Sequence, residues 1–301
     1  MLHIAYHPNY VLPVREGHRF PMLKYELIPD QLLHEGIVAP ENFFLPTTVS
    51  PGTLSLAHDQ NYVEDVLNLR LTEKMVRQIG FPLSQELVDR ERLLVQGTID
   101  SSQFAVKNGV SFNIAGGTHH AGRNFGEGFC LFNDQAVAAA FLIENKLAKR
   151  VLIVDLDVHQ GNGTAHIFKG HRNVFTFSMH AERNFPFIKE KSNKDVPLAD
   201  GVQDDEYLLL LKRHLKNVFE VFRPDFVFFQ AGVDVLSTDK LGKLNLSADA
   251  CRIRDELVFL KCKEFGVPVQ VSMGGGYSMH IKDIVNAHVA SFRAAIDVFD
   301  F

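Results

Sequence analysis

Short apolar runs alternate with longer helical patterns from Ser111 to the end of the chain, and this alternation restricts the possible folds more than any other feature. The apolar runs cover 111–117, 151–157, 173–179, 225–230 and 268–273, and the helical patterns cover 133–148, 163–169, 204–222, 248–265 and 280–298. Strands joined by helices of this length pair in parallel through right-handed crossovers, with helices on both faces. We therefore predict an α/β fold with a parallel sheet between two helical layers.

The residues before Ser111 read as mostly helical after an opening strand at 1–5. Apolar residues recur at helical spacing over 19–36, which Pro29 interrupts, and again over 59–71 and 84–108. The segment 181–201 carries many charges but little periodicity, which predicts a long loop of the kind that is usually functional or mobile. With 301 residues, 46% of them hydrophobic, and no linker or repeat, the chain is predicted to form a single domain over 1–301.

The run that begins at Val151 ends in two aspartates and a histidine at alternate positions, Asp155, Asp157 and His159. Side chains two apart on a strand point to the same face, so we expect these three to converge. The carboxyl ends of strands are also where ligands bind in an open parallel sheet. Taken alone, the cluster fits a metal site and a capped turn of mutually paired polar residues equally well.

Three further apolar runs end in reactive residues. His119 and His120 follow the first run, Asp234 follows the fourth and Tyr277 follows the fifth, behind three glycines. A parallel sheet brings such ends to one edge. We therefore predict an active site there.

The predicted cluster suits metal-assisted hydrolysis of an amide. Asp157, His159 and Asp234 supply three oxygen and nitrogen ligands and leave positions for water and substrate, as catalytic metals require. This set suits Zn²⁺, and Fe²⁺, Co²⁺ or Mn²⁺ are compatible with it. The remaining residues fit proton transfer and charge stabilisation: His119 and His120 as a base and acid pair, Asp155 as the residue that orients one of them, and Tyr277 as an oxyanion donor.

Five motifs in order resemble the zinc-dependent histone deacetylase family and span nearly the whole chain. They are Gly116-Gly-Thr-His-His120, Gly128-Phe-Cys-Leu-Phe-Asn-Asp134, Asp155-Leu-Asp-Val-His-Gln-Gly-Asn-Gly163, Gly232-Val-Asp234 and Gly274-Gly-Gly-Tyr277. Asn162 makes the third motif most similar to the class IV branch. The resemblance implies the arginase/deacetylase fold, a single three-layer domain with a parallel sheet of about eight strands.

The resemblance also implies a role for each matching residue. Asp157, His159 and Asp234 would bind zinc, His120 would be the main base and acid, His119 paired with Asp155 would stay cationic, and Tyr277 would donate to the oxyanion. Gly128 and Phe129 would line one wall of a tube for the lysine methylenes, and Phe185 the other. Asp155, Asp157, His159, Ser178 and Met179 would hold a monovalent cation, K⁺ or Na⁺. Arg19 would line an internal cavity that receives the released acid.

Asn162 departs from the aspartate found in most branches of that family. A carboxylate behind His120 would raise the pKa of the imidazole, whereas a neutral amide does so less. We therefore expect His120 to be neutral near pH 7 and able to act first as a base.

Composition argues against several classes of partner. The net charge of −5 and the absence of a Lys or Arg run disfavour nucleic-acid binding. The sequence has no run of 18 apolar residues, so we predict no membrane span. Three cysteines suit a reducing compartment, so we expect a cytoplasmic protein. No feature of the sequence indicates an oligomeric state.

The predicted function is removal of acyl groups, acetyl or longer, from lysine side chains of proteins or peptides. A small-molecule amidohydrolase acting on acetylpolyamines or other acylated amines is the alternative with the same chemistry. A dinucleotide-binding protein is disfavoured because His166 stands where the third glycine of the fingerprint belongs. A binuclear arginase-like hydrolase would need an aspartate where Gly161 stands. A binding module without turnover is disfavoured by the complete set of reactive residues.

Overall fold

All eight strands of the protein belong to one sheet. The computed structural model describes residues 1–301. The strands are β1 His3–Ala5, β2 Phe43–Phe44, β3 Val110–Asn113, β4 Val151–Asp155, β5 Val174–Ala181, β6 Lys194–Leu198, β7 Phe226–Gln230 and β8 Val269–Ser272. They lie in the order β2-β1-β3-β8-β7-β4-β5-β6, and every neighbouring pair is parallel.

Helices cover both faces of this sheet. They are α1 Lys24–His34, α2 Pro51–Leu54, α3 Gln60–Leu67, α4 Glu73–Ile79, α5 Gln85–Asn108, α6 Asp134–Glu144, α7 Asn162–Ile167, α8 Asp204–Phe222, α9 Ala248–Phe265 and α10 Ile281–Phe299. One layer is built from α1, α10, α9 and α8, each packed on the next, and α5 is the centre of the other, where it contacts α3, α6 and strands β1, β3 and β8. No helix combines the length and the apolar character that crossing a membrane requires.

Local signals explain why the long helices begin and end close to where the sequence predicts. The Ser84 hydroxyl caps α5 by accepting from the Leu87 amide at 3.2 Å, and Ser247 caps α9 through the Ala250 amide at 3.0 Å. Both helices end at a glycine with positive φ, 92° at Gly109 and 64° at Gly266.

The core is continuous through the molecule, as the predicted single domain requires. Eighty-four buried hydrophobic residues form one cluster. Every residue of β4 and β7 is buried, which is typical of central parallel strands with helices on both faces. The predicted α/β fold class, with a parallel eight-stranded sheet between helices, is confirmed.

The segment 181–201 is not a continuous loop, contrary to our expectation. It contains β6, Lys194–Leu198, which pairs with β5 at the edge of the sheet. Pro197 hides this strand from pattern analysis, but an edge strand tolerates proline because one side needs no hydrogen-bond donor. The two-residue β2 and the short α4 were also not predicted, because neither is long enough to show a period.

The strand β4 ends at Asp155, two residues earlier than predicted. The Asp155 carboxylate accepts from the Asp157 amide at 3.2 Å, and the Asp157 carboxylate accepts from the His159 amide at 3.0 Å. Each aspartate thus bonds the backbone two residues further on, which turns the chain. The three side chains gather at the strand end through these turns rather than by strand alternation.

Candidate active site

Four neighbouring strands deliver the reactive side chains. Strands β3, β8, β7 and β4 are consecutive in the sheet. His119 and His120 follow β3, Tyr277 follows β8, Asp234 follows β7, and Asp157 and His159 follow β4. The predicted meeting of four strand ends at one edge is therefore confirmed by the strand order.

The loop that carries the two histidines is held by Asp134, the first residue of α6. One oxygen of this buried carboxylate accepts from the amides of Gly117 and Thr118, at 2.9 and 2.8 Å, and from the Thr118 hydroxyl at 2.8 Å. The other accepts from the hydroxyls of Thr98 at 2.7 Å and Ser272 at 3.1 Å. One carboxylate thus ties the histidine loop to α5, α6 and β8.

The adjacent histidines are buried and have different partners. His119 Nδ1 lies 2.7 Å from Asp155 Oδ2, and His120 Nδ1 lies 2.7 Å from Asn162 Oδ1. Burial lowers the pKa of His119, but the carboxylates of Asp155 and Asp157 outweigh it and raise that pKa to about 9. Burial, together with the neighbouring histidines, lowers the pKa of His120 well below its usual value. The pair therefore consists of one cationic and one neutral imidazole.

The hydrogen bonds behind His120 continue through Asn162 to Glu127. Asn162 Nδ2 donates to Glu127 Oε1 at 2.5 Å, which fixes the amide so that its oxygen faces His120. Because that oxygen only accepts, His120 Nδ1 carries the proton and Nε2 is left free to accept one. The main reason for the low pKa of His120 is burial rather than the lack of charge on Asn162, on which our expectation was based.

Asp157, His159 and Asp234 form a cluster suited to a metal ion. One ligand atom from each lies within 4.8 Å of the other two. His159 Nδ1 is 3.0 Å from Asp157 Oδ1 and 3.1 Å from Asp234 Oδ2. Burial lowers the pKa of His159, but bonds to the two carboxylates raise it to about 10. The three ligand atoms thus converge on a point where a cation would satisfy all of them.

Glycines make room for these carboxylates. A Cβ on Gly232 would collide with the Asp157 carboxylate, and one on Gly275 would collide with that of Asp234. The Gly275 amide donates to Asp157 Oδ2 at 2.8 Å, and the Val158 amide donates to Asp234 Oδ1 at 2.9 Å. Asp234 therefore keeps Oδ2 free of backbone bonds, whereas Asp157 Oδ1 also accepts from the His159 amide at 3.0 Å. Both of these oxygens face His159 Nδ1, and each has a lone pair left for a cation.

Tyr277 is positioned by contacts from both sides of its glycine loop. Its amide donates to Asp239 Oδ2 at 2.6 Å. The fully buried Lys24 of α1 donates from Nζ to the Gly274 carbonyl at 2.8 Å. Burial raises the pKa of the Tyr277 phenol, and the charges of Asp234 and Asp157 raise it further. The hydroxyl therefore keeps its proton and remains a donor.

Two cavities meet at these residues. The outer cleft, of about 610 Å³, is lined by Phe129, Phe185 and Phe187 and reaches His120, His159 and Tyr277. The Phe185 ring packs edge-on to His120, with centroids 4.9 Å apart. A Cβ on Gly128 would lie 2.6 Å from the ring of His120, so only glycine fits beneath this wall. The structure thus brings Gly128, Phe129 and Phe185 to one cleft.

The inner cavity, of about 30 Å³, is lined by the reactive residues themselves and extends past them to Tyr25, Arg90 and Leu94. Arg19 does not line it, contrary to our expectation: this side chain is exposed and lines the outer cleft. Its neighbour Phe20 is the residue that turns inward and lines the inner cavity. The buried arginine there is Arg90 of α5, whose Nε donates to the Tyr10 carbonyl at 2.7 Å.

Ser178 and Met179 lie on β5, beside the end of β4. Ser178 is paired in register with Asp155, and both β5 residues are buried. The Ser178 hydroxyl lies 2.9 Å from His180 Nδ1. The five residues expected to hold a monovalent cation are therefore close in the fold.

Several residues of the site were not identified from the sequence. Asp134 ends the motif that contains Phe129 and Glu127 directly precedes it, so attention to the acidic residues of that segment would have found both. Lys24, Arg90 and Asp239 act from other elements, and no local pattern marks them.

Comparisons with known proteins agree with this arrangement. A histone deacetylase domain model matches residues 18–292. An uncharacterized protein of Picosynechococcus sp. is 45% identical over 98% of this chain and 99% of its own. Histone deacetylase 2 of Arabidopsis thaliana is 30% identical over 88% of this chain and 70% of its own length. Histone deacetylase 1 of Homo sapiens is 27% identical over 94% of this chain and 61% of its own length.

Solved structures show the same fold. The crystal structure of an HDAC homolog complexed with SAHA aligns with a TM-score of 0.84 and 26% identity, over 99% of this chain and 88% of that one. The HDA15 HD domain aligns over 99% of this chain and 92% of its own with a TM-score of 0.81, at 21% identity. From the matched domain and the geometry of the site, we conclude that the chain belongs to the histone deacetylase family of hydrolases, within the arginase/deacetylase superfamily.

Proposed function

We propose that the protein is a metal-dependent amidohydrolase that removes short acyl groups from lysine side chains. The observation that carries the proposal is the position of His120, neutral and with a free Nε2, beside the Asp157, His159 and Asp234 cluster at the end of an aromatic-walled cleft. An aromatic-walled cleft suits the apolar stem of an acyl-lysine. We further propose that residues 1–301 act as one deacetylase domain, and that Asn162 places it in the class IV branch.

Zn²⁺ is the proposed metal, and Fe²⁺ fits the same donors. Two carboxylates and one imidazole match the ligand types of catalytic zinc, and both Asp234 Oδ2 and His159 Nδ1 are free of backbone bonds. When bound, such an ion would polarise the acyl carbonyl and acidify water. We also propose K⁺ or Na⁺ beside it, held by Asp155, Asp157, His159, Ser178 and Met179.

Each reactive side chain has a proposed role that follows from its partners. His120 accepts the proton of the attacking water at Nε2 and later delivers it to the leaving amine. His119 keeps its proton through Asp155 and stabilises negative charge on the reacting carbonyl. Tyr277 donates its hydroxyl to the same oxygen. Asn162 keeps His120 in the tautomer that this sequence of transfers needs.

The inner cavity favours a short acyl group. A cavity of about 30 Å³ is small beside an octanoyl or myristoyl chain. Each buried methylene of a long acyl chain would add about 0.8 kcal/mol to the binding free energy, but only if an apolar cavity is large enough to hold it. We expect kcat/KM to be highest for acetyl among acetyl, octanoyl and myristoyl peptides, and a steep rise with chain length would refute the short-acyl proposal.

The test of the function is turnover of an uncharged peptide that contains one acetyl-lysine, by the zinc-loaded protein. We expect release of acetate, and a loss of kcat on the order of 10²–10³ in Tyr277→Phe, the usual effect of removing one oxyanion donor. This variant should keep its metal and its unfolding transition. Absence of turnover by folded, metal-loaded wild type would contradict the proposal.

A cytoplasmic location is proposed as well. Cys130, Cys251 and Cys262 are all free and buried, as expected of a protein from a reducing compartment.

A further inference from the structure

The rim of the outer cleft is basic although the chain as a whole is acidic. Four cationic side chains line the cleft: Arg19, Arg77, Arg183 and Lys243. The acidic residue among its lining is Glu127, which is half-buried and already bonded to Asn162. The net charge of the whole chain is −5, so this concentration of positive charge is local.

The cations of the rim are only partly neutralised. Arg183 and Lys243 share Asp200, at 4.0 and 3.7 Å. Arg77 lies 3.4 Å from Glu73, whose side chain is 92% exposed. Arg19 forms no ion pair. Exposed pairs of this kind are weak, and the three carboxylates of Asp200, Glu73 and Glu127 are fewer than the four cations, so the rim keeps a positive field.

A charged rim selects substrates before the chemistry begins. Clefts lined by one sign of charge concentrate ligands of the opposite sign and raise their rates of association. An acylated polyamine brings further positive charge to this rim, as does an acyl-lysine flanked by lysines or arginines. Both would be repelled at the point where the apolar stem has to enter between Phe129 and Phe185.

We propose that the substrate of this site is an acylated amine that carries a carboxylate close to the acyl-lysine stem. This inference rests on the proposed deacylase function and adds the charge of the substrate to it. The carboxylate could come from acidic residues that flank the acyl-lysine in a peptide, or from the free amino acid Nε-acetyl-lysine, which has no net charge and would bind through its α-carboxylate with its α-ammonium facing solvent. In both cases Arg19 and Arg183 are the cations expected to receive it.

The test uses three peptides with the same central acetyl-lysine, flanked by glutamates, by glycines or by lysines, together with Nε-acetyl-lysine and acetylputrescine. We expect kcat/KM for the glutamate peptide to exceed that of the glycine peptide by on the order of tenfold at low salt, and the difference to shrink at high salt. Arg19→Gln and Arg183→Gln should each reduce this preference roughly two- to fivefold, because kcat/KM falls more for the glutamate peptide than for the glycine peptide. Arg213→Gln, an exposed position on α8 outside the cleft, is the matched control and should change nothing.

The outcomes separate this inference from the function on which it rests. If no peptide is hydrolysed, the deacylase function itself fails. If the glycine peptide is hydrolysed but glutamates bring no advantage, or lysines or acetylputrescine are preferred, the charge selection is overturned and the function stands. A preference for the glutamate peptide or for free Nε-acetyl-lysine supports the inference, and the comparison of the two identifies the source of the carboxylate.

Discussion

At the scale of single residues, we propose that the Asn162 amide oxygen, 2.7 Å from His120 Nδ1, keeps the imidazole proton on that nitrogen. In Asn162→Asp, a carboxylate would face His120 Nδ1 and stabilise its protonated form, which raises the pKa of the imidazole. His120 must be neutral to accept a proton, so the acidic limb of the pH profile of kcat/KM should move to higher pH. Glu127→Gln removes the neighbouring charge without adding one beside His120 and serves as the control. An acidic limb that stays in place in Asn162→Asp would contradict the proposed base.

His58 should make folding sensitive to acid. Its ring is buried, with Nδ1 2.9 Å from the Gly122 carbonyl and Nε2 accepting from the Asn133 amide at 2.9 Å, and burial lowers its pKa to about 4. Between pH 6.5 and pH 4, His58 is protonated in the unfolded chain but not in the folded protein. Its contribution to the free energy of unfolding is therefore complete above pH 6.5 and is lost as the pH falls towards 4.

The change in the free energy of unfolding between pH 7 and pH 5 from this residue should be roughly 2 kcal/mol. Urea unfolding of wild type and His58→Asn at both pH values measures it, since the asparagine variant lacks the titrating group. Equal pH dependence in the two proteins would show that His58 is not the cause.

At the scale of elements, Asp134 joins the histidine loop to α5 and β8. Asp134→Ala removes the carboxylate that accepts from five buried donors, so we expect destabilisation on the order of 3–5 kcal/mol and a large fall in kcat. Asp134→Asn should be much milder, because the hydroxyls of Thr98 and Ser272 can rotate to accept from its amide.

Urea unfolding together with kcat for the two variants distinguishes a charge requirement from a hydrogen-bond requirement. If Asp134→Asn is as damaging as Asp134→Ala, the negative charge of the residue is what the loop needs.

The same elements show what sequence patterns can and cannot predict. The bounds of α8 and α9 match their predictions, because long amphipathic periods and capping residues are local signals. Strand β6 was missed because its pattern is short and interrupted by Pro197, and only pairing with β5 makes it a strand. Arg19 was assigned to the wrong cavity because the direction of a side chain in an irregular segment depends on packing, here of Phe20, and not on spacing.

At the scale of the whole molecule, the site exists because four strands that are distant in sequence are neighbours in the sheet. Their ends bring together residues from 119 to 277, and helices from both layers complete the site, with Lys24 from one side and Arg90 from the other. Sequence reasoning could predict which residues meet, because parallel topology requires it. The supporting contacts could not be predicted, because they depend on how the layers pack.

The most direct test of the central claim measures metal content and activity together. Protein stripped by a chelator should be inactive towards the neutral acetyl-lysine peptide, and activity should return in proportion to added Zn²⁺ until about one ion is bound per chain. Asp234→Asn, in which a neutral amide replaces a charged ligand, should lose metal, activity or both. Full activity in metal-free protein, or unchanged activity and metal binding in Asp234→Asn, would contradict the proposal that Asp157, His159 and Asp234 hold a catalytic metal.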